Sequence, residues 1–589
     1  MKADLHKTNS YKILSSNFSA TDRGQLGFCK KFILYALLFT ISLVSITLTH
    51  PPITDATTPT IAQVPTNPQT LIQQGESLYE AGQFAEAVTI LQQATEAFKN
   101  QGDGLNQAMS LSNLSLAYQH LGQWKEAQDA ITASLQLLEN PTTKELLKLR
   151  GDALDIQGQL YLAQGQPEAA LESFLLATAA YSQAGDAEGN FRSQINQAQA
   201  LQSSGLYRRA LNILQPLNLT LQKQPDSHIK AIALRSLGNT LRMIGNLEES
   251  QNNLEQSLAI AQRLPSPLDI SAALLGLGNT ARANGEIQAA FTYYQQASDI
   301  ENTLVTTKIK AQLNLLSLFV SSPQLLIESE FLQEIQTNIA QLPVSLNAIN
   351  ARINLARSLM KLENPENDYS LIIAEQLKVA LQQAQTIHDS RSQSYALGQL
   401  GELYEKTGQY NHAQKLTEQA LVLSQSIDAS DIAYSLQWQL GRLLKVQGNR
   451  DGAIAAYTSA VNTLQSLRRD LVSINPDVQF SFRESVEPVY RELVSLLLQS
   501  QGSEPTQQNL IQARDAIESL QQAELVNFFR EDCLNAVPIL IDQVDQKAAV
   551  IYPIVLNDRL EVVLSLPDEP LRHYATVLPK AELEHVFSQ

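Results

Sequence analysis

The chain has 589 residues, 44% hydrophobic and 17% charged, a balance that excludes wholesale disorder. Acidic residues outnumber basic ones, 59 to 42, and the net charge of −17 argues against a nucleic-acid partner. The basic doublets Lys30-Lys31, Arg208-Arg209 and Arg468-Arg469 stand outside any longer basic run.

Residues 1–31 run against the acidic trend. Lys2, Lys7, Lys12, Arg23, Lys30 and Lys31 face only Asp4 and Asp22, six minus two giving +4. The next 17 residues, Phe32–Leu48, FILYALLFTISLVSITL, carry no charge. As a helix they span roughly 26 Å, near the ~30 Å of a bilayer's hydrocarbon core. A basic flank stays in the cytoplasm, and the chain beyond the apolar run is exported. Residues 1–31 are therefore expected to be a cytoplasmic segment, and 32–48 a signal anchor or a signal peptide. The protein would lie outside the plasma membrane, anchored there or released. Thr60-Ile61-Ala62 offers a small-x-small cleavage site. Cys29 and Cys533, the only cysteines, would sit on opposite sides of an anchored membrane, which excludes a disulfide between them. The Pro/Thr-rich stretch 49–70 reads as a linker, with neither helical nor strand period.

From residue 71 to 466 the chain repeats itself. GESLYEAGQFAEAVTILQQA (Gly75–Ala94), GQLYLAQGQPEAALESFLLA (Gly158–Ala177), LGNTLRMIGNLEESQNNLEQS (Leu237–Ser257), LGNTARANGEIQAAFTYYQQA (Leu277–Ala297) and LGELYEKTGQYNHAQKLTEQA (Leu400–Ala420) align without strain. Turn glycines fall at Gly82, Gly122, Gly165, Gly205, Gly245, Gly285, Gly408 and Gly448, mostly 40 residues apart. The gap from Gly285 to Gly408 fits two eroded copies, around Leu315 and Leu355, which makes about ten repeats.

Each unit reads as a helical hairpin. A small residue on the first helix, such as Gly158, Gly238 or Gly401, admits the second. Ala87, Ala127, Ala170, Ala210, Ala290, Ala413 and Ala453 supply the matching small contact. One hairpin alone cannot bury its apolar stripe, so the units stack into a superhelix.

The pattern L-G-x-x-Y, a turn Gly, then small, aromatic and small positions resembles the tetratricopeptide repeat, with helices longer than that family's usual ones. The resemblance covers Leu71 to Leu464 and implies a superhelix whose concave face, lined by first helices, binds peptides or partner domains. In LGNTLR and LGNTAR, Asn239, Arg242, Asn279 and Arg282 come after the small glycine. Their spacing directs them away from the contact between the two helices. They read either as solvated helix-surface residues or as the candidate groove residues, amides for a peptide backbone and Arg for a carboxylate.

Residues 467–535 read as connecting helices. Within them NLIQARDAIESLQQAELVNFFREDC (Asn509–Cys533) is amphipathic, with Leu510, Ala513, Ile517, Leu520, Ala523, Leu525 and Phe528 on its apolar side. Residues 536–589 change character. AAVIYPIVL (Ala548–Leu556), a turn at Asn557-Asp558-Arg559 and LEVVLSL (Leu560–Leu566) read as a β-hairpin, with a bulge or an edge position at Pro553. LRHYATV (Leu571–Val577) reads as a third strand, and Pro579 with Glu582 and Glu584 as a first helical turn.

FRESVEPVYRELVSLLL, ARDAIESLQQAELVNFF, AAVIYPIVLNDRLEVVLSL and PLRHY, in that order, resemble the entrance to a CHAT domain, a caspase-like module that succeeds such arrays in bacterial proteins. The resemblance implies an α/β caspase-like sandwich and, in active members, a His–Cys peptidase dyad. Those residues lie beyond the part of the family pattern reached here. After Cys533 there is no cysteine, so His573 and His585 lack a thiolate partner. His573 is expected to be structural and the chain not to act as an enzyme. Three strands without a covering layer would template pairing with other chains, so a truncated or split gene is expected, or a separate polypeptide that completes the CHAT domain. No metal-ligand cluster, phosphate loop or Ser/His/Asp arrangement stands out, and no cofactor is expected.

The expected fold class is mostly α: an α-solenoid of about ten helical hairpins, then the beginning of an α/β caspase-like domain. The leading functional expectation is an interaction scaffold at a membrane's outer face. The competing one is the sensor half of a split or truncated CHAT cysteine peptidase.

Overall fold

A computed structural model of the chain describes residues 67–321, 329–362, 368–466, 486–499, 504–529, 547–556 and 558–577. Phe32–Leu48, Cys29, Cys533, Pro579, Glu582, Glu584 and His585 lie outside them. Among the described residues no helix is long and apolar enough to cross a membrane.

Twenty helices pair into ten hairpins. The first five are α1 (Pro68–Glu80) with α2 (Phe84–Gln101), α3 (Gly104–His120) with α4 (Trp124–Leu137), α5 (Lys144–Ala163) with α6 (Pro167–Ala184), α7 (Ala187–Ser203) with α8 (Tyr207–Gln222), and α9 (His228–Met243) with α10 (Leu247–Arg263). The other five are α11 (Pro267–Ala283) with α12 (Ile287–Asp299), α13 (Val305–Ser321) with α14 (Ser329–Ala340), α15 (Leu346–Lys361) with α16 (Ser370–Thr386), α17 (Ser390–Lys406) with α18 (Tyr410–Ser426), and α19 (Ser430–Val446) with α20 (Arg450–Ser466). The two eroded copies are real hairpins, and their markers Leu315 and Leu355 are buried.

Local chemistry sets the ends. Asp103, Asp186, Ser227 and Asp389 cap first helices, each side chain accepting a backbone N–H of the first turn. All eight turn glycines have left-handed φ, between +69° and +85°. Gly82 shows why: its N–H reaches Tyr79 O at 2.9 Å while Gln83 N–H reaches Leu78 O at 2.9 Å, a paired closure that needs left-handed backbone between the helices. Gly122 carries a second duty. A Cβ there would overlap the Val344 carbonyl oxygen, so the α3–α4 turn abuts the loop between α14 and α15.

Packing within a hairpin obeys one rule. The small residue of the first helix receives a side chain sixteen positions downstream: Leu91 on Gly75, Phe174 on Gly158, Leu254 on Gly238, Tyr294 on Gly278, Thr417 on Gly401 and Tyr457 on Gly441. A Cβ on Gly278 would stand 2.5 Å from the Tyr294 ring, and one on Gly238 2.7 Å from Leu254. Where Ser115 replaces the glycine, its hydroxyl donates to Ala127 O at 2.8 Å. The seven alanines from Ala87 to Ala453 are fully buried four residues before that large one. Burying one Leu or Phe in this way contributes about 1.5–3 kcal/mol.

Two more helices, α21 (Glu487–Leu498) and α22 (Gln507–Phe529), come after the array and carry an antiparallel sheet in the order β1 (Val550–Val555), β2 (Arg559–Ser565), β3 (Arg572–Val577). Pro553 sits on edge strand β1 in unbroken register opposite Val562, so the edge reading holds and the bulge does not. The strands are not bare, as the sequence suggested. Tyr552, Ile554 and Val563 share one buried cluster with Leu493 and Leu497 of α21, Ile517 of α22 and Tyr457 of α20. The sheet's other face is open at Ile551 and Tyr574.

Candidate functional site

Consecutive first helices lie against one another, α5 on α7, α7 on α9, α9 on α11 and α17 on α19. No two consecutive second helices make comparable contact among the described residues. Hairpins wedged together along their first helices curve toward that side, which places the first helices on the inside of the coil.

On that face the positions one and four past the small residue are half-buried: Asn239 and Arg242, Asn279 and Arg282, Glu402 and Glu405. Asn239 Oδ1 rests against Gly276 of α11, where a Cβ would stand 3.1 Å away. Asn279 Oδ1 accepts from Tyr294 OH at 2.8 Å and from Asn314 Nδ2 of α13 at 3.0 Å. This corrects the expectation that all four residues turn away from their hairpin's own helix pair. Tyr294, lying over Gly278, brings its hydroxyl across the pair to Asn279. Burial pushes the Tyr294 phenol up to about 12, with Arg282 and Arg242 pulling the other way. Arg242 also opposes the burial that pushes Tyr207 up to about 12. Asn279 thus bonds the Tyr294 hydroxyl, on which the charges of Arg282 and Arg242 act, Arg242 lying with Asn239 on the preceding hairpin.

Two polar clusters were not legible in the sequence. In the first, Arg192 of α7 lies between Asp152 and Asp155 of α5, at 2.7 and 3.4 Å. Tyr181 OH is 2.7 Å from Asp152 Oδ1 and 3.1 Å from Asp155 Oδ2. Burial pushes Asp155 up to about 6 despite Arg192. These groups saturate one another, so the cluster fastens the third hairpin to the fourth and exposes no reactive group. The Asp-x-x-Asp spacing in GDALD was its only sequence signal.

The second cluster surrounds a groove of about 360 Å³ between α17 and α19. Tyr395, Ile432, Leu436 and Trp438 form its apolar walls, and Glu402, Glu405 and Arg442 its charged ones. Arg442 stacks over the Trp438 ring at 4.6 Å and holds Glu405 through two bonds of 2.8 and 2.9 Å. Glu402 and Glu405 occupy the register of Asn239 and Arg242, and that correspondence was the available signal.

His573 belongs to the sheet. Its Nε2 lies 2.6 Å from Glu561 Oε2, while Arg559 Nε donates to the other carboxylate oxygen at 2.5 Å. Glu561 is 1% exposed. Burial works to raise it, but His573 and Arg559 outweigh burial and hold it below the usual range. Among the described residues no three His, Cys, Asp or Glu side chains converge as a metal site would require.

Residues 67–140 and 225–302 match a family model described as tetratricopeptide repeat, and residues 396–427 match a second model so described. No curated protein matches the chain. Among solved structures it is similar to a Rap protein complexed with competence and sporulation factor, at 13% identity and TM-score 0.41, over 68% of this chain and 99% of that one. It is also similar to BtubC (BKLC) from P. vanneervenii, at 20% identity and TM-score 0.31, over 40% and 91% of the two chains. The type IV pilus biogenesis factor PilW matches at 19% identity and TM-score 0.29, over 39% and 91%.

Proposed function

We infer, from a chain that carries tetratricopeptide repeats, a protein–protein interaction scaffold whose concave face holds a partner peptide or domain. The observation that carries this reading is the row of half-buried polar side chains on consecutive first helices, open toward the inside of the curve. Around Tyr294, Arg242 and Arg282 supply charge for a peptide carboxylate. Asn239 and Asn279 retain amide N–H groups for its backbone. We place the scaffold at the outer face of a membrane through Phe32–Leu48, on the strength of the basic flank and the uncharged run alone.

A pull-down with the full chain tests the reading. It should recover a protein partner that the double variant Arg242→Ala, Arg282→Ala holds at least tenfold more weakly, as the loss of charge-assisted bonds implies. Unchanged recovery removes these residues from the groove, and recovery of nothing removes the scaffold.

A second reading, the sensor half of a CHAT-type cysteine peptidase, draws its support from the antiparallel β1-β2-β3 sheet packed on α21 and α22. It gains ground if the recovered partner is a polypeptide that brings a His and a Cys on further strands.

A further inference from the structure

Among the side-chain acceptors that line the groove between α17 and α19, one is buried without a donor. Glu405 is satisfied by Arg442. Lys406 Nζ is engaged by Met360 O at 2.8 Å. Glu402, facing the same space, takes Gln399 Nε2 at a long 3.3 Å. That bond fixes the Gln399 amide, because a carboxylate needs the NH₂ side toward it. The other end, Gln399 Oε1, is then an acceptor, buried and without a hydrogen-bond partner. Buried acceptors left unmade cost about 1–3 kcal/mol each, so a missing donor is worth seeking.

The walls say what shape that donor has. Tyr395, Trp438 and Leu436 line the same groove as Glu402 and Gln399. A long apolar stem with a cationic, donor-only head fits this combination, and Lys and Arg are the side chains built that way. A carboxylate would meet Glu402, while the two lining cations are engaged, Arg442 by Glu405 and Lys406 by Met360 O. A neutral aliphatic chain would leave both acceptors dry.

We propose that this groove takes a lysine or arginine side chain of the partner peptide, its head between Glu402 and Gln399 Oε1 and its stem along Tyr395 and Trp438. The proposal rests on the scaffold reading of the concave face and gives the ligand a polarity: a cationic residue at the ninth and tenth hairpins, an acidic one toward Arg242 and Arg282.

The test pans the full chain against a random dodecapeptide library. Enriched peptides should share an Arg or Lys position, and binding should change the fluorescence of Trp438, read in a Trp124→Phe background that leaves it the sole tryptophan. Replacing that Arg by citrulline should weaken binding about tenfold in the unmodified protein and not further in Glu402→Gln, the mark of a direct pair. Gln399→Leu is the second variant. It removes the orphan acceptor, so it should melt no earlier than the unmodified protein while binding the peptide more weakly. Arg242→Ala, Arg282→Ala should keep the cationic preference. Enrichment of peptides without a shared cationic position, or equal binding of Arg and citrulline peptides, overturns the proposal and leaves the scaffold standing. If no peptide is enriched, the scaffold reading falls and this one with it.

Discussion

Trp438 Nε1 donates to Glu492 Oε2 at 3.1 Å, and Tyr457 OH donates to the same oxygen at 2.6 Å. Glu492 belongs to α21, outside the repeats, so one carboxylate ties a groove wall and the last hairpin to the unit that carries the sheet. Removing it strands two donors. Glu492→Ala should cost about 2–4 kcal/mol, the sum of two unmade bonds, and Glu492→Gln less than half of that. Denaturant unfolding monitored through Trp438 fluorescence, in the Trp124→Phe background, measures both. Equal, negligible losses would mean that the two units are joined by apolar packing alone.

The glycines divide into two kinds, and alanine separates them. Gly278→Ala drives a Cβ to 2.5 Å from the Tyr294 ring and should cost about 1–3 kcal/mol as overpacking. Gly285, with φ +79° and open space around it, should lose only about 1 kcal/mol to backbone strain. Gly122→Ala suffers strain and a backbone clash together and should exceed Gly285→Ala. Melting temperatures of the three variants give the order, and Gly122→Ala matching Gly285→Ala would remove the α14–α15 contact.

Asp155 supplies a pH signature. Burial raises its folded pKa to about 6 from the ordinary 3.8, so the folded protein holds a proton there that the unfolded chain releases. Between about pH 4 and 6 this group's contribution to stability therefore falls as pH rises. Asp155→Asn should flatten that slope, seen as a smaller drop in melting temperature from pH 4.5 to 6.5 than in the unmodified protein. Parallel slopes in the two proteins would mean that Asp155 stays ionised throughout.

The repeat was legible wherever a hairpin closes on a left-handed glycine, because that conformation leaves little choice of residue. It faded at α13–α16, where the stretches of sequence that join the paired helices, residues 322–328 and 362–369, contain no glycine. The large residue over each small one, such as Tyr294 over Gly278, was in plain view at a fixed spacing but carries no fixed identity: Leu, Phe, Tyr and Thr all serve. The groove was harder to see. Glu402 means little until Trp438 and Arg442 arrive from the next hairpin, and Asn279 cannot be oriented without knowing that Tyr294 reaches it. Both depend on side chains meeting across helices, which a local pattern does not record.

Gly122 against the Val344 carbonyl puts the second hairpin in touch with the loop that joins the seventh to the eighth. Bulk added at residue 122 therefore acts on a segment far away in the sequence, and the two loops have to vary together.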